Sequence, residues 1–297
     1  MSFYKYVNID TLDKILSGSI KITQPNAFND PFELAVEVYN PDDINKGLVT
    51  LNFNVTTPKG DITKYLQPEG FEDDNCNDIW TRELISLLSQ KIGFLCLSRN
   101  SDSHLMWAHY ADNYSGAVIE FDDNHEYFEG AFEISYVEDR PKIHMDYFLD
   151  KKEVAISELC IKSNEWSYER EWRLARSFKD CKKIKTGKGI PDIFTMPLPL
   201  DSIKGIVLGE RCSLENAKKT FHRIKNTSIS LKIAALANWK YEFRYETVKF
   251  NLPINEMCAP ISPYTADIFI GEKGVQGEMA KWVKENHPMT EITKWRL

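Results

Sequence analysis

Nine consecutive residues, WSYEREWRL from Trp166 to Leu174, constrain the fold of this chain more than any other stretch. In an extended strand the side chains alternate, so Trp166, Tyr168, Arg170, Trp172 and Leu174 share one face while Ser167, Glu169, Glu171 and Arg173 share the other. As a helix, the two tryptophans six positions apart would fall on different faces and leave no apolar stripe. The spacing therefore predicts a strand, with Trp166, Tyr168 and Trp172 entering a core and Glu169 and Glu171 facing a cleft. Two carboxylates and a guanidinium in a row are either the charged, aggregation-resisting side of an edge strand or the working face of a site.

A core is within reach: 297 residues with 42% hydrophobic and 12% aromatic side chains are enough to fold without staples. The net charge of -7 gives no overall attraction to nucleic acid or to an anionic membrane. One basic run, Arg173, Arg176, Lys179, Lys182, Lys183, Lys185 and Lys188, reads as a solvated turn. Six cysteines show neither CxxC nor zinc spacing, so no metal site is expected and the thiols are expected to be reduced. With no apolar leader in MSFYKYVNID and no segment of bilayer-spanning length, a cytoplasmic location is expected, with no membrane association.

Along the chain, FYKYV reads as a strand, followed by a helix with Asp10 as N-cap, Leu12, Ile15 and Leu16 on its buried side and Gly18 as its stop. Ile20 to Thr23 resumes a strand. In PNAFNDPFE, Asp30-Pro31 forces an extended or turn conformation and sets Asn29 and Asp30 between Phe28 and Phe32, as a structural Asx-turn or as part of a site. Residues 40–77 read as a polar insertion or flap. A helix capped by Asp78 is expected to bury Trp80, Leu84, Leu87 and Leu88 and to close at Gly93, ahead of the strand FLCLS. Ser103 can cap a helical turn presenting Trp107, His109 and Tyr110, and Gly116 then breaks into the strand AVIEF. FEISYV reads as a strand and Asp150 to Ile161 as a helix.

Further on, IVLGER (Ile206–Arg211) and IFIGEK (Ile268–Lys273) each read as strand, Gly-Glu-basic turn and amphipathic helix. The helices are Leu214–Ile224 and Gly277–Lys284, followed by strands Ile229–Ile233 and Glu291–Trp295. A glutamate in each turn disfavours phosphate binding there. The whole is expected to be one α+β domain over 1–297, with a C-terminal β-α-β extension at about 255–297.

Four motifs, FNDPFE, LMWAHYADNYSGAVIEFD, WSYEREWRL and IKGIVLGER, resemble in order and spacing a bacterial domain family of unknown function (family 2971), some members of which are thought to belong to phage-defence or toxin loci. The aromatic first strand, the helix ending at Gly18 and the Glu-x-Glu strand are also similar to ADP-ribosyltransferases, which implies a mixed or antiparallel split β-sheet flanked by helices and NAD as substrate. In the arginine-modifying members the second glutamate of the pair holds the ribose and the first orients the acceptor. Those roles fall to Glu171 and Glu169, with His109 and Tyr110 as further catalytic candidates and Tyr6, Lys5, Asn29, Asp30 and Arg173 as candidates to hold NAD. The acceptor would be a macromolecule, protein or nucleic acid. No Ser-Thr-Ser strand is found, and Lys5 and Tyr6 stand where that superfamily has Arg or His.

Cleaving a nicotinamide-ribose bond develops oxocarbenium character, which a fixed carboxylate stabilises. If one site exists, Asn29, Asp30, His109 and Tyr110 should converge on Glu171, because buried polar groups must satisfy one another or a ligand. Two other readings stay open: a non-catalytic sensor or partner-binding module, and a metal-dependent nuclease using Asp30, Glu33, Glu169 and Glu171, which lacks a lysine paired with its acidic dyad.

Overall fold

The structure is a computed structural model that describes residues 1–34, 36–39, 56–57, 60–61, 85–86, 88–144, 156–186 and 192–292. In chain order its strands are β1 (Ser2–Val7), β2 (Ser19–Ile22), β3 (Glu37–Tyr39), β4 (Thr56–Thr57), β5 (Gly60–Asp61), β6 (Ile92–Ser98), β7 (Ala117–Asp122) and β8 (Phe132–Glu133). They continue with β9 (Ser135–Val137), β10 (Lys142–His144), β11 (Ile161–Ser163), β12 (Glu171–Ser177), β13 (Lys182–Ile184), β14 (Ile193–Pro197), β15 (Ile203–Leu208), β16 (Ser230–Leu236) and β17 (Phe243–Lys249). One mixed sheet has the order β17-β16-β15-β7-β1-β6-β12-β8, and β13-β14-β2 form a smaller one. The fold is α+β.

The large sheet buries one face under helices whose apolar residues recur at helical spacing. Leu12, Ile15 and Leu16 of the helix Ile9–Leu16, and Ala217, Phe221 and Ile224 of the helix Leu214–Ile224, pack on Phe3, Leu95, Leu97, Ile119, Leu174 and Ile206. Each such large side chain contributes about 1.5–3 kcal/mol on burial. β15, the helix Leu214–Ile224 and β16 form the expected β-α-β unit, with β16 parallel to β15.

The sheet forks at β1. This strand pairs with β7 along its whole length, but meets β6 only at Tyr4–Ser98. Farther along β6, Phe94 instead exchanges both backbone hydrogen bonds with Thr23, just past β2, at 2.8 Å each. β6 thus hands over from one partner to another, and the gap between them opens a pocket. On its other side β6 pairs continuously with β12, from Glu171–Ser98 to Ser177–Ile92.

Several expectations need correction. Asn8, not Asp10, caps the first helix, accepting from Thr11 N at 2.8 Å. Gly18 ends that helix as expected, with φ of 79°. FEISYV splits into β8 and β9. Of the helix Asp150–Ile161, the described part is Ile156–Leu159, and Ile161 already belongs to β11. Residues 85–86 and 88–91 are helical, while Gly93 lies inside β6 rather than ending a helix; Trp80, Leu84 and Leu87 lie outside the described residues. So does the 40–77 insertion, apart from the β4–β5 pair.

IFIGEK forms no strand. Ala266–Phe269 is a helical turn whose Phe269 packs edge-on against Phe221 at 5.0 Å. Three apolar residues suit a helical turn as well as a strand, and here the buried partner is a helix, not a sheet edge. The second β-α-β unit is therefore absent: Val275–Asn286 is helical, Pro288–Ile292 is a 3-10 turn, and residues 293–297 lie outside the described set.

WSYEREWRL is half turn and half strand. Asn164–Glu169 is a 3-10 helix closed by Arg170 in the left-handed region (φ 44°, ψ 53°), and β12 begins at Glu171. The burial order reverses expectation: Glu169, Glu171 and Arg173 are 3%, 5% and 1% exposed, whereas Trp166, Tyr168 and Trp172 are half-buried. Period two survives only within β12, where Trp172 and Leu174 join the main core and Ala175 packs in a second cluster with Phe94 and Cys96.

Candidate functional site

The pocket at the fork, about 300 Å³, is lined by β1 (Tyr4, Lys5, Tyr6), by β6 (Cys96, Leu97, Ser98), by Lys21, Thr23 and Asn29 from the β2 side, and by Tyr110. Its charged lining is Glu33, Lys162, Glu169, Glu171 and Arg173. Lys162 of β11 extends between the two carboxylates, its Nζ 2.7 Å from Glu169 Oε2 and 2.8 Å from Glu171 Oε2. Arg173 Nε donates to Glu171 Oε1 at 2.8 Å and its Nη2 to Glu171 Oε2 at 3.0 Å. Arg173 also pairs with Glu33, whose other oxygen is 3.9 Å from Lys162. The rings of Phe28 and Phe94 flank the guanidinium.

The left-handed Arg170 lets the chain turn between the two glutamates and still aim both side chains inward. Three contacts fix that turn: Ser98 Oγ donates to the Glu169 carbonyl, Arg99 N to the Arg170 carbonyl at 3.0 Å, and Glu171 N to Tyr136 Oη at 2.8 Å.

The carboxylates are not equivalent. Glu171 accepts through both oxygens from Arg173 and Lys162, and burial raises its pKa, with Lys162 opposing. Glu169 keeps Oε2 on Lys162 but turns Oε1 to Tyr110, whose hydroxyl donates at 2.6 Å and accepts from Asn29 Nδ2 at 2.9 Å. Burial, then Glu169, push the Tyr110 pKa up. Burial works against the Lys162 ammonium, but the two glutamates more than offset it and raise its pKa.

Among the residues singled out from sequence, Lys5, Tyr6, Asn29, Tyr110, Glu169, Glu171 and Arg173 line this pocket. His109 is exposed, meets Tyr110 only through its ring, and is not part of the lining. Asp30 lies behind the wall: its Oδ1 accepts from Phe32 N at 2.9 Å, closing the Asx-turn, and its charge supports Arg173. Tyr6 is tied to structure, its hydroxyl donating to the Asn100 carbonyl at 2.9 Å and accepting from Ser103 N at 3.2 Å. Sequence reasoning missed Lys162, a lone lysine in the polar run IKSNEW whose only signal was the apolar neighbours Cys160 and Ile161 before it.

Among the described residues no group of three His, Cys, Asp or Glu side chains is arranged to hold a metal ion, and no helix is long and apolar enough to cross a membrane. Among the described residues Cys96, Cys160, Cys181, Cys212 and Cys258 form no disulfide.

Fold and site define an α+β protein with a polar, charge-compensated pocket in a forked mixed sheet. A family model described as "Protein of unknown function (DUF2971)" matches residues 106–174, supporting the resemblance seen in the motifs. That stretch contains Tyr110, Lys162, Glu169, Glu171 and Arg173 but not Lys5, Asn29 or Glu33. No curated protein and no protein of solved structure matches the chain, so the likeness to ADP-ribosyltransferases rests on its motifs alone.

Proposed function

We propose that the fork pocket is a catalytic centre for transfer or hydrolysis at a sugar carbon, with ADP-ribosyl transfer from NAD as the reaction to test, and with Glu169 as the carboxylate that faces the reacting carbon. One observation carries this reading: Glu169 is held at the pocket wall by Lys162 on one oxygen and Tyr110 on the other. A carboxylate fixed in this way stabilises positive charge without reorganising as that charge develops. Glu171, saturated by Arg173 and Lys162, anchors the cluster instead, which exchanges the roles implied by the Glu-x-Glu resemblance. In the reaction, the carbon-nitrogen bond pair leaves with neutral nicotinamide, the ribosyl cation is stabilised by Glu169, and a hydroxyl or amine nucleophile adds while losing its proton to water. Clusters of buried charge cost stability, and one at the base of a pocket supports reading that pocket as a functional site.

The test is nicotinamide release from NAD by the full chain, with cell extract as acceptor. Glu169→Gln should lower turnover roughly a hundredfold to a thousandfold, the usual effect of losing one preorganised electrostatic group. Absence of turnover in the wild type under these conditions rejects the reading.

Lys162 also supplies the lysine that the nuclease reading lacked. Its ammonium, however, sits between the carboxylates, where a Mg²⁺ would bind. Magnesium-dependent nicking of DNA or RNA, lost in both Glu169→Gln and Glu171→Gln, would favour that alternative.

A further inference from the structure

We infer that the fork pocket takes a phosphorylated small molecule, with the phosphate seated on Lys5 and Lys21 and the remainder directed toward Tyr110 and Glu169. This names the substrate class of the same pocket and rests on its being a ligand site.

Charge placement carries the inference. The lining holds four cationic side chains, Lys5, Lys21, Lys162 and Arg173, against three carboxylates, Glu33, Glu169 and Glu171. Lys162 and Arg173 are consumed by those carboxylates. Among the described residues, neither Lys5 nor Lys21 forms an ion pair within 4.0 Å, although Glu171 lies close enough to act on Lys5 through its charge. Lys5 spans the gap left where β1 and β6 part, its Nζ donating to the Cys96 carbonyl at 3.0 Å. An ammonium has three donors, and that bond uses one.

Burial lowers the Lys5 pKa, Cys96 and Glu171 oppose that shift, and the nearby Lys21 adds to it. Lys5, which is partly buried, and Lys21, which is exposed on the same lining, have no carboxylate in direct contact among the described residues and repel each other, and an anion between them converts that repulsion into attraction. A third donor points the same way: Nη1 of Arg173, 1% exposed, finds no acceptor among the described residues. In a chain of net charge -7, a locally cationic pocket comes from placement, not composition. A cavity of about 300 Å³ exceeds the needs of a bare phosphate, and Tyr4, Tyr6 and Phe28 offer apolar walls for the body that carries it.

The test is calorimetric titration of the full chain with ADP, pyrophosphate and adenosine at fixed ionic strength. ADP should bind at least about tenfold more tightly than adenosine, and pyrophosphate should compete with it. Lys21 is exposed, so Lys21→Gln should keep the fold, confirmed by its unfolding midpoint, while weakening ADP about tenfold. Equal affinity for ADP and adenosine, no competition by pyrophosphate, or unchanged ADP affinity in Lys21→Gln overturns the inference. ADP binding without NAD turnover keeps the phosphate site and removes the transferase reading; NAD turnover unaffected by Lys21→Gln does the reverse.

Discussion

Tyr110 and Glu169 lie 59 residues apart in sequence, yet their hydroxyl and carboxylate share a 2.6 Å hydrogen bond at the pocket wall. The tyrosine arrives at the end of the helix His104–Tyr110, which Ser103 caps through Met106 N at 3.4 Å. That helix is held at its far end by a close approach: Gly116 N donates to the Ala111 carbonyl, and a Cβ on Gly116 would come within 2.2 Å of the Val7 carbonyl. The pair tests the site directly.

Replacing Tyr110 with Phe removes the donor to Glu169 and the acceptor for Asn29 while keeping the ring. Stability should fall by about 1–2 kcal/mol in urea denaturation. If Glu169 is the reacting carboxylate, nicotinamide release should fall as well. Unchanged stability would mean that the hydroxyl is not engaged in solution.

Lys162→Met should be far more damaging, because it leaves Glu169 and Glu171 buried without their shared cation. Removing one partner of a buried pair costs about 3–5 kcal/mol. Adding Glu169→Gln to Lys162→Met should recover part of that loss, giving a non-additive double-mutant cycle. Strict additivity would show that the ammonium does not bridge the carboxylates.

Alkaline pH should unfold the protein. Burial raises the pKa of Cys96, Cys160, Tyr6, Tyr110 and Tyr245, and pushes Tyr127 and Tyr136 up to about 12; Lys162 is also raised, by its glutamates. A folded-state pKa above the unfolded one gives stability that is complete below the unfolded value and is lost as pH rises toward the folded one. The loss therefore begins near pH 9 for the thiols and near 10 for the phenols and Lys162. Lys5 and Lys249, lowered by burial, act in the opposite sense but are outnumbered. Urea midpoints under reductant should drop steeply between pH 8.5 and about 10.5, and a flat profile would contradict the burial of these groups.

Arg170 should discriminate among substitutions by backbone alone, since its side chain is exposed and its φ is 44°. The wild-type arginine already bears the penalty of about 1–2 kcal/mol for a left-handed L-residue, and Arg170→Val should add to it, because a β-branched side chain tolerates that region worst. Arg170→Gly should stay within about 1 kcal/mol of wild type. Equal thermal shifts for both would place Arg170 in an ordinary conformation.

Residue spacing made some of this architecture readable. β1, β6, β7, the β15–helix–β16 unit and the Ser103 cap follow from alternation, helical period and capping chemistry, each decided within a few neighbours. WSYEREWRL was readable only from Glu171 onward, because nothing in Tyr168–Glu169–Arg170 announces a positive φ in an arginine. IFIGEK failed because three apolar residues fit either period, and the choice was made by Phe221, far away in sequence. Burial of the charges was hidden for a similar reason: Glu33, Lys162 and Arg173 look like surface residues until the fork sets them against one another.

That cluster is put together from unequal distances along the chain. Lys162, Glu169, Glu171 and Arg173 fall within a single short excursion, so their mutual contacts close small loops at little entropic cost. Glu33, by contrast, must come from near the amino terminus to meet Arg173. During synthesis the amino-terminal wall therefore emerges long before the ions it must neutralise, and the pocket takes shape only after β12 has been made and has paired with β6. Non-local closure of this kind slows folding. A nascent or truncated chain ending before Glu171 would lack the site altogether, which ties whatever chemistry the pocket performs to completion of the β6–β12 pairing.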